Sequence, residues 1–155
     1  MTYGADMVMQ MYTPGLYDEP ASGVPNAWST DILLPGSAQI QYIHHVLRDR
    51  SPSGVAARVP AQELVLDDLG TNDQAVKAVR SEGAEEWIVV YLPSARNITV
   101  AVEGLNRRGY AAKWFDPVNG GYSQIVNYGS GSGSTREFST PATSQDHEDW
   151  VLVLE

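Results

Sequence analysis

The 155-residue sequence contains no cysteine, which excludes disulfides, thiolate nucleophiles and thiolate-held zinc. That absence leaves the compartment open, because a domain with a sizeable core needs no cross-links on either side of a membrane. Basic residues are scarce: 10 Lys and Arg stand against 19 Asp and Glu, for a formal charge of -9. Neutralising nucleic-acid phosphates takes a basic stripe, and so few cations argue against that class of partner. Every apolar run falls well short of the roughly 20 residues that a membrane-spanning helix requires. The first residues, Met1-Thr2-Tyr3-Gly4-Ala5-Asp6, show no positive segment leading into an apolar one, so no signal peptide is expected either. The expectation is a soluble chain. What the sequence does have is 43% hydrophobic residues, four Trp and eight Tyr among them, enough to build the core of one ordinary domain.

The first 28 residues are aromatic and broken by Pro14-Gly15, Pro20, Gly23 and Pro25. A short helix over 5–12 with Met7, Val8 and Met11 on one face, followed by a loop, is expected there. A loop of this length rich in Met, Tyr and Trp makes most sense draped over another domain. A clearer helix follows over about 37–49. Ser37 is its expected N-cap, and Ile40, Ile43 and Leu47 fall on one stripe at helical spacing. Arg48 and Arg50 suit the negative end of its dipole, and Ser51-Pro52-Ser53-Gly54 stops it. Residues 54–74 read as a connector, with a short helical turn over 60–64 and a turn at Asp67-Asp68-Leu69-Gly70. From residue 75 the hydrophobic period becomes two. Strands are expected at 76–81, 87–92, 98–102, 111–115, 122–127, 135–138 and 150–154, each followed by a turn signal. The fold class is therefore mainly β: a small antiparallel β-sandwich over 75–155 behind a helical and loop extension over 1–74. The run Gly129-Ser130-Gly131-Ser132-Gly133-Ser134 reads as a flexible hairpin loop.

Two segments carry the most local information. In Trp114-Phe115-Asp116-Pro117-Val118-Asn119-Gly120-Gly121, Asp116 can accept from the backbone two residues on. Pro117 presets φ, and Asn119 and Gly120 tolerate a positive φ, so a tight turn joins two strands. In Asp149-Trp150-Val151-Leu152-Val153-Leu154-Glu155, Trp150, Leu152 and Leu154 point one way and Val151 and Val153 the other. With both faces apolar, this strand is covered on each side or lies against a second element.

Chemistry-bearing residues are few. Glycoside hydrolysis needs two carboxyls held roughly 5 to 9.5 Å apart. The dense acidic groups are Asp18-Glu19, Asp67-Asp68, Glu85-Glu86 and Asp146, Glu148, Asp149. Neighbours on a strand point to opposite faces, so Glu85 and Glu86 cannot address one ligand. The other groups read as turn or surface residues, and no catalytic residue is assigned. His44 and His45 are about 100° apart on a helix and do not share one ion; His44 reads as half-buried packing and His45 as facing away. His147, in Gln145-Asp146-His147-Glu148-Asp149, has oxygens nearby but neither the ligand spacing nor the turn glycine of a calcium loop. No metal and no cofactor are expected. Trp87, Trp114 and Trp150 lie in expected strands and are assigned to the core, whereas Trp28 is a candidate for an interface.

In order, Tyr91-Leu92-Pro93-Ser94, Trp114-Phe115-Asp116-Pro117 with Gly120, and Asp149-Trp150-Val151-Leu152-Val153-Leu154 resemble the domain labelled "putative collagen-binding domain of a collagenase". That domain usually follows a TIM barrel in apiosidase-like glycoside hydrolases. Thr2-Tyr3-Gly4-Ala5 is similar to the loop after the last barrel strand, and Leu34-Pro35-Gly36-Ser37-Ala38-Gln39 to the start of the last barrel helix. The resemblance implies the C-terminal remainder of a larger enzyme whose catalytic acids would lie on strands before Met1. It also implies that Tyr3 would face the sugar site of an intact barrel, so Tyr3 and Trp28 are the candidate ligand-binding residues. The expected function is that of a non-catalytic accessory domain, with a catalytic barrel or polysaccharide as partner. A homodimer through the N-terminal extension is a further expectation, should Met7, Met11, Trp28 and the Ile40 stripe be uncovered. The alternatives are an independent carbohydrate- or collagen-binding module, which would show at least two exposed coplanar aromatics, and an active glycosidase, which would show two converging carboxyls. Nothing in the sequence specifies the aromatic-lined trench that a collagen triple helix would need.

Overall fold

A computed structural model of the chain describes residues 33–47, 50, 58–82, 87–142 and 149–155, apart from the side chains of Ile43, His44, Gln124 and Ile125. The expected helix over 5–12, Trp28 and the stop at Ser51-Pro52 lie outside the described residues. The chain divides into two compact units, Met1–His45 and Val46–Glu155.

The helix expected over 37–49 is two short helices, α1 (Pro35–Gln39) and α2 (Tyr42–Leu47). Pro35 at the first helical position starts α1 two residues before Ser37, because its fixed φ suits the helix and its missing N–H would be unpaired there anyway. Ser37 is therefore inside the first turn, not at the cap: its hydroxyl donates to the Leu34 carbonyl at 2.8 Å. The break at residues 40–41 resets the helical phase. Ile40, placed on a buried stripe by its spacing, is 56% exposed instead, and Val46 of α2 is buried.

Among the described residues of the second unit, eight strands form two sheets. β1 (Arg58–Pro60), β2 (Lys77–Ser81), β3 (Ile88–Leu92), β5 (Tyr110–Phe115), β6 (Tyr122–Tyr128) and β8 (Trp150–Leu154) make a six-stranded sheet in the order β1-β2-β3-β8-β5-β6. β4 (Asn97–Ala101) and β7 (Thr135–Ser139) pair as a second sheet. All pairings are antiparallel. The expected sandwich is present, with one strand more than the hydrophobic period indicated. Arg58–Pro60, read as connector, pairs with β2 in the register Val59↔Arg80. It is a proper edge strand, since Pro60 can donate nothing to a further neighbour.

β8 sits between β3 and β5, with Val90 opposite Leu152 on one side and Trp114 opposite Leu152 on the other. Alternation then sorts the side chains. Ala78, Ile88, Val90, Leu92, Ala112, Trp114, Trp150, Leu152 and Leu154 share one core with Ile98, Val100 and Phe138 of the small sheet. The opposite face carries Val89, Phe115, Val151 and Val153, also buried. Both faces of the last strand are covered, as its two apolar sides required.

The run 129–134 is not a hairpin loop. β6 belongs to the large sheet and β7 to the small one, so the run crosses between layers, and it is tied down. Asn106, in a 3-10 turn at Leu105–Arg107, accepts from the Ser132 backbone and hydroxyl, both at 2.8 Å, and its side-chain amide donates to the Gly133 carbonyl.

The β5–β6 turn follows the sequence closely. Asp116 Oδ1 accepts from the backbone of Val118 at 2.8 Å and Asn119 at 3.2 Å. Gly120 donates to the Asp116 carbonyl at 2.9 Å from φ 74°. A β-branched side chain is poorly tolerated at that φ, so Gly120→Val should lower stability by more than the ~1 kcal/mol of an ordinary glycine replacement. An unchanged urea midpoint would contradict the turn's role.

Candidate functional site

Of the residues assigned to ligand binding, Tyr3 and Trp28 both lie outside the described residues. So do Asp18, Glu19, Glu85, Glu86, Asp146, His147 and Glu148. The remaining acidic pair is structural: Asp67 accepts from the Thr99 backbone, and Asp68 Oδ1 accepts from Gly70 N at 3.0 Å. These bonds hold the segment before β2 against β4, beside the bridge Val65↔Val100. Arg96 fastens the same loop by donating to the carbonyls of Asp68 and Gln74. His45 is exposed, with the Tyr42 ring edge-on at 6.0 Å. Among the described residues no three His, Asp or Glu converge as metal ligands, and no helix is long and apolar enough to cross a membrane.

The three tryptophans expected in strands go to the interior, Trp114 and Trp150 from β5 and β8 and Trp87 from the residue before β3. Trp87, Trp114 and Trp150 are all buried, and the last two meet edge-on with ring centroids 6.4 Å apart. Trp87 Nε1 donates to the Arg50 carbonyl at 2.9 Å. Tyr122 is the only aromatic among the large exposed apolar side chains of the described residues, so no described pair of exposed rings forms a stacking platform. Tyr91 is half-buried and donates to Asp149 Oδ2 at 3.3 Å. Burial first, then the Asp149 charge and hydrogen bond, push its phenol up to about 12. It stays a neutral donor throughout the ordinary pH range.

The most interconnected polar group was not foreseen as a unit. Arg50 Nε meets Glu155 Oε2 at 2.7 Å, and Lys113 Nζ meets Glu155 Oε1 at 2.7 Å. Arg50 Nη1 also donates to the Val46 carbonyl at 2.7 Å and the Tyr122 hydroxyl at 3.1 Å. The sequence offered Arg50 only as a charge near a helix end. Its main partner is the last residue of the chain, and no local spacing signals that. Glu155 in turn is fixed by its backbone, which exchanges bonds with Ala111 of β5 at 2.7 and 3.0 Å.

Partial burial pushes the Glu155 carboxyl up, but the hydrogen bond from Lys113 and the charge and hydrogen bond of Arg50 outweigh it, leaving the carboxyl below its ordinary pKa. A depressed carboxylate stabilises the fold above its unfolded pKa and loses that contribution as pH falls through the folded one. Glu155→Gln should therefore lower stability at neutral pH and flatten its decline on the acid side. Parallel acid limbs for the two proteins in pH-dependent urea melts would show the cluster to be energetically silent.

The family model described as "Putative collagen-binding domain of a collagenase" matches residues 59–155. No curated protein sequence matches the chain. Among solved structures, a protein titled "Glycoside hydrolase" superposes with TM-score 0.70 at 20% identity, over 96% of this chain and 31% of that one. A glycoside hydrolase family 5 protein from Bacteroides vulgatus ATCC 8482 superposes with TM-score 0.67, also at 20% identity, over 89% of this chain and 29% of that one. The likeness is one of fold, and the chain spans under a third of the length of either structure.

Proposed function

Since this chain belongs to the family described as "Putative collagen-binding domain of a collagenase", we propose that it acts as the non-catalytic accessory domain of a glycoside hydrolase of the apiosidase-like type, packed on the catalytic barrel. The observation that carries this reading is the placement of the aromatics. Trp87, Trp114 and Trp150 are spent on the interior, whereas a sugar-binding module presents such rings to solvent. The carboxylates of Asp68, Asp149 and Glu155 are likewise engaged, in a turn, in the Tyr91 bond and with Arg50 and Lys113 respectively. In the first unit the apolar residues Leu33 and Ile40 stand in solvent at 82% and 56% exposure. A catalytic barrel is the kind of partner that would cover them, at a gain of about 25 cal/mol per Å² of apolar area.

Two assays on the purified chain test the reading together. No reducing sugar should be released from pectic or arabinogalactan substrates, and mobility in affinity gels containing those polysaccharides, or retention on immobilised collagen, should match that of an inert control. Hydrolysis that co-purifies with the chain and disappears on mutation of one of its own carboxylates would overturn the reading in favour of a glycosidase. Specific retention without hydrolysis would overturn it in favour of an independent binding module, with Tyr3 and Trp28 the first residues to replace.

A further inference from the structure

The turn between β5 and β6 contains the one asparagine of the sequence that is followed by glycine, Asn119-Gly120, and Asn119 is exposed. This pair has a chemistry of its own. When the Gly120 nitrogen attacks the Asn119 side-chain carbonyl a five-membered succinimide closes, and glycine, having no Cβ, hinders that closure least. The native turn engages every group the reaction uses. Asn119 Nδ2 donates to Asp116 Oδ2 at 2.6 Å, and Asn119 Oδ1 accepts from Gly121 N at 2.7 Å. Gly120 N, the nucleophile, donates to the Asp116 carbonyl at 2.9 Å. Ring closure therefore requires these bonds to be given up. The Asp116 carboxylate beside the site also disfavours the negative charge that Gly120 N develops as it loses its proton.

We propose that Asn119 is a modification site, at which this chain deamidates without an enzyme when the β5–β6 turn opens, and that the products weaken the turn. The Gly120 nitrogen gives its proton to hydroxide and bonds to Asn119 Cγ. The Cγ–Nδ2 bond breaks, and Nδ2 takes a proton from water and leaves as ammonia. Water then opens the ring on one of two sides. Cleavage between Cγ and the Gly120 nitrogen gives aspartate; cleavage between the main-chain carbonyl and that nitrogen gives isoaspartate, whose main chain runs through the former side chain. One water is consumed, one ammonia is released, and nothing is oxidised or reduced. Either product removes the amide that donated to Asp116 Oδ2 and sets a second carboxylate against it, in a chain already at -9. Isoaspartate also adds a carbon to the main chain, which displaces Gly120 from its φ of 74° and from its bond to the Asp116 carbonyl. The turn that has opened once and reacted thus opens more readily afterwards, and the loss of ammonia prevents return.

Peptide mapping by mass spectrometry tests this on the full chain, aged in mildly alkaline buffer with and without enough guanidinium chloride to unfold it. Aspartate and isoaspartate should accumulate at position 119 in both, at a rate roughly tenfold or more lower in the folded chain, because the turn must first open. Asp116→Asn removes the charge and the acceptor beside Nδ2 and creates no second reactive pair, since Pro117 has no N–H to attack with. Checked as folded by its denaturant melt, it should react several-fold faster than the parent under native conditions and at the parent's rate when unfolded. Should that variant not fold, the ratio of folded to unfolded rates in the parent decides alone. Asn119→Asp, the direct product, should lower the urea midpoint at neutral pH. No reaction at Asn119 in the unfolded chain, equal rates in the folded and unfolded chain, a folded Asp116→Asn no faster than the parent, or an unmoved midpoint for Asn119→Asp would each overturn the proposal.

Discussion

A chain shortened to end at residue 149 is expected to lose its cooperative unfolding transition altogether. The missing strand is the middle of the large sheet. β8 pairs with β3 through five residues and with β5 through four, so without it the sheet falls into a β1-β2-β3 piece and a β5-β6 hairpin. All five of its side chains are buried. At about 1.5–3 kcal/mol for each large apolar side chain, their burial is comparable to the ~5–15 kcal/mol by which whole domains are stable. Far-UV circular dichroism and urea melts read the outcome, and a retained sigmoidal melt would mean that the other strands assemble unaided. The point variant Leu152→Ala keeps the ladder and removes one side chain that is 0% exposed. It should cost about 2–5 kcal/mol, with folding preserved.

The central place of β8 shows how far the sequence could be read. Its alternation with two apolar faces required cover on both sides, and that is what the structure supplies. The turn at 116–120 was equally legible, because Asp116, Asn119 and Gly120 act on their own neighbours. β1 was not, since three residues ending in proline carry no period; β2 makes them a strand by offering an edge. The partition of strands between sheets was also hidden. A period of two says that 122–128 and 135–139 are strands, but not that a Gly/Ser run joins them across layers, held by an asparagine 26 residues before Ser132. The Arg50, Lys113 and Glu155 cluster was illegible for the same reason: each residue is ordinary locally, and only the sheet brings β5, the end of β8 and the segment after α2 together.

Trp114→Ala should be the most damaging single substitution in the sandwich, at about 3–5 kcal/mol. The side chain is 2% exposed, stands opposite Leu152 and meets Trp150 edge-on. Its removal therefore leaves a cavity where two strands and the small sheet converge, and the β5–β8 ladder restrains collapse into it. Trp114→Phe fills part of that volume and should cost less. Tyr122→Ala, at a ring that is 43% exposed, should stay within about a kcal/mol even though it removes the hydroxyl and the ring face that Arg50 meets. That ranking separates structural from ligand-facing aromatics. If strand tryptophans served polysaccharide binding, Trp114→Phe would change mobility in a polysaccharide gel while barely moving the urea midpoint. The buried placement predicts the reverse: stability falls in the order Tyr122→Ala, Trp114→Phe, Trp114→Ala, and mobility is the same for every variant assayed in its folded range.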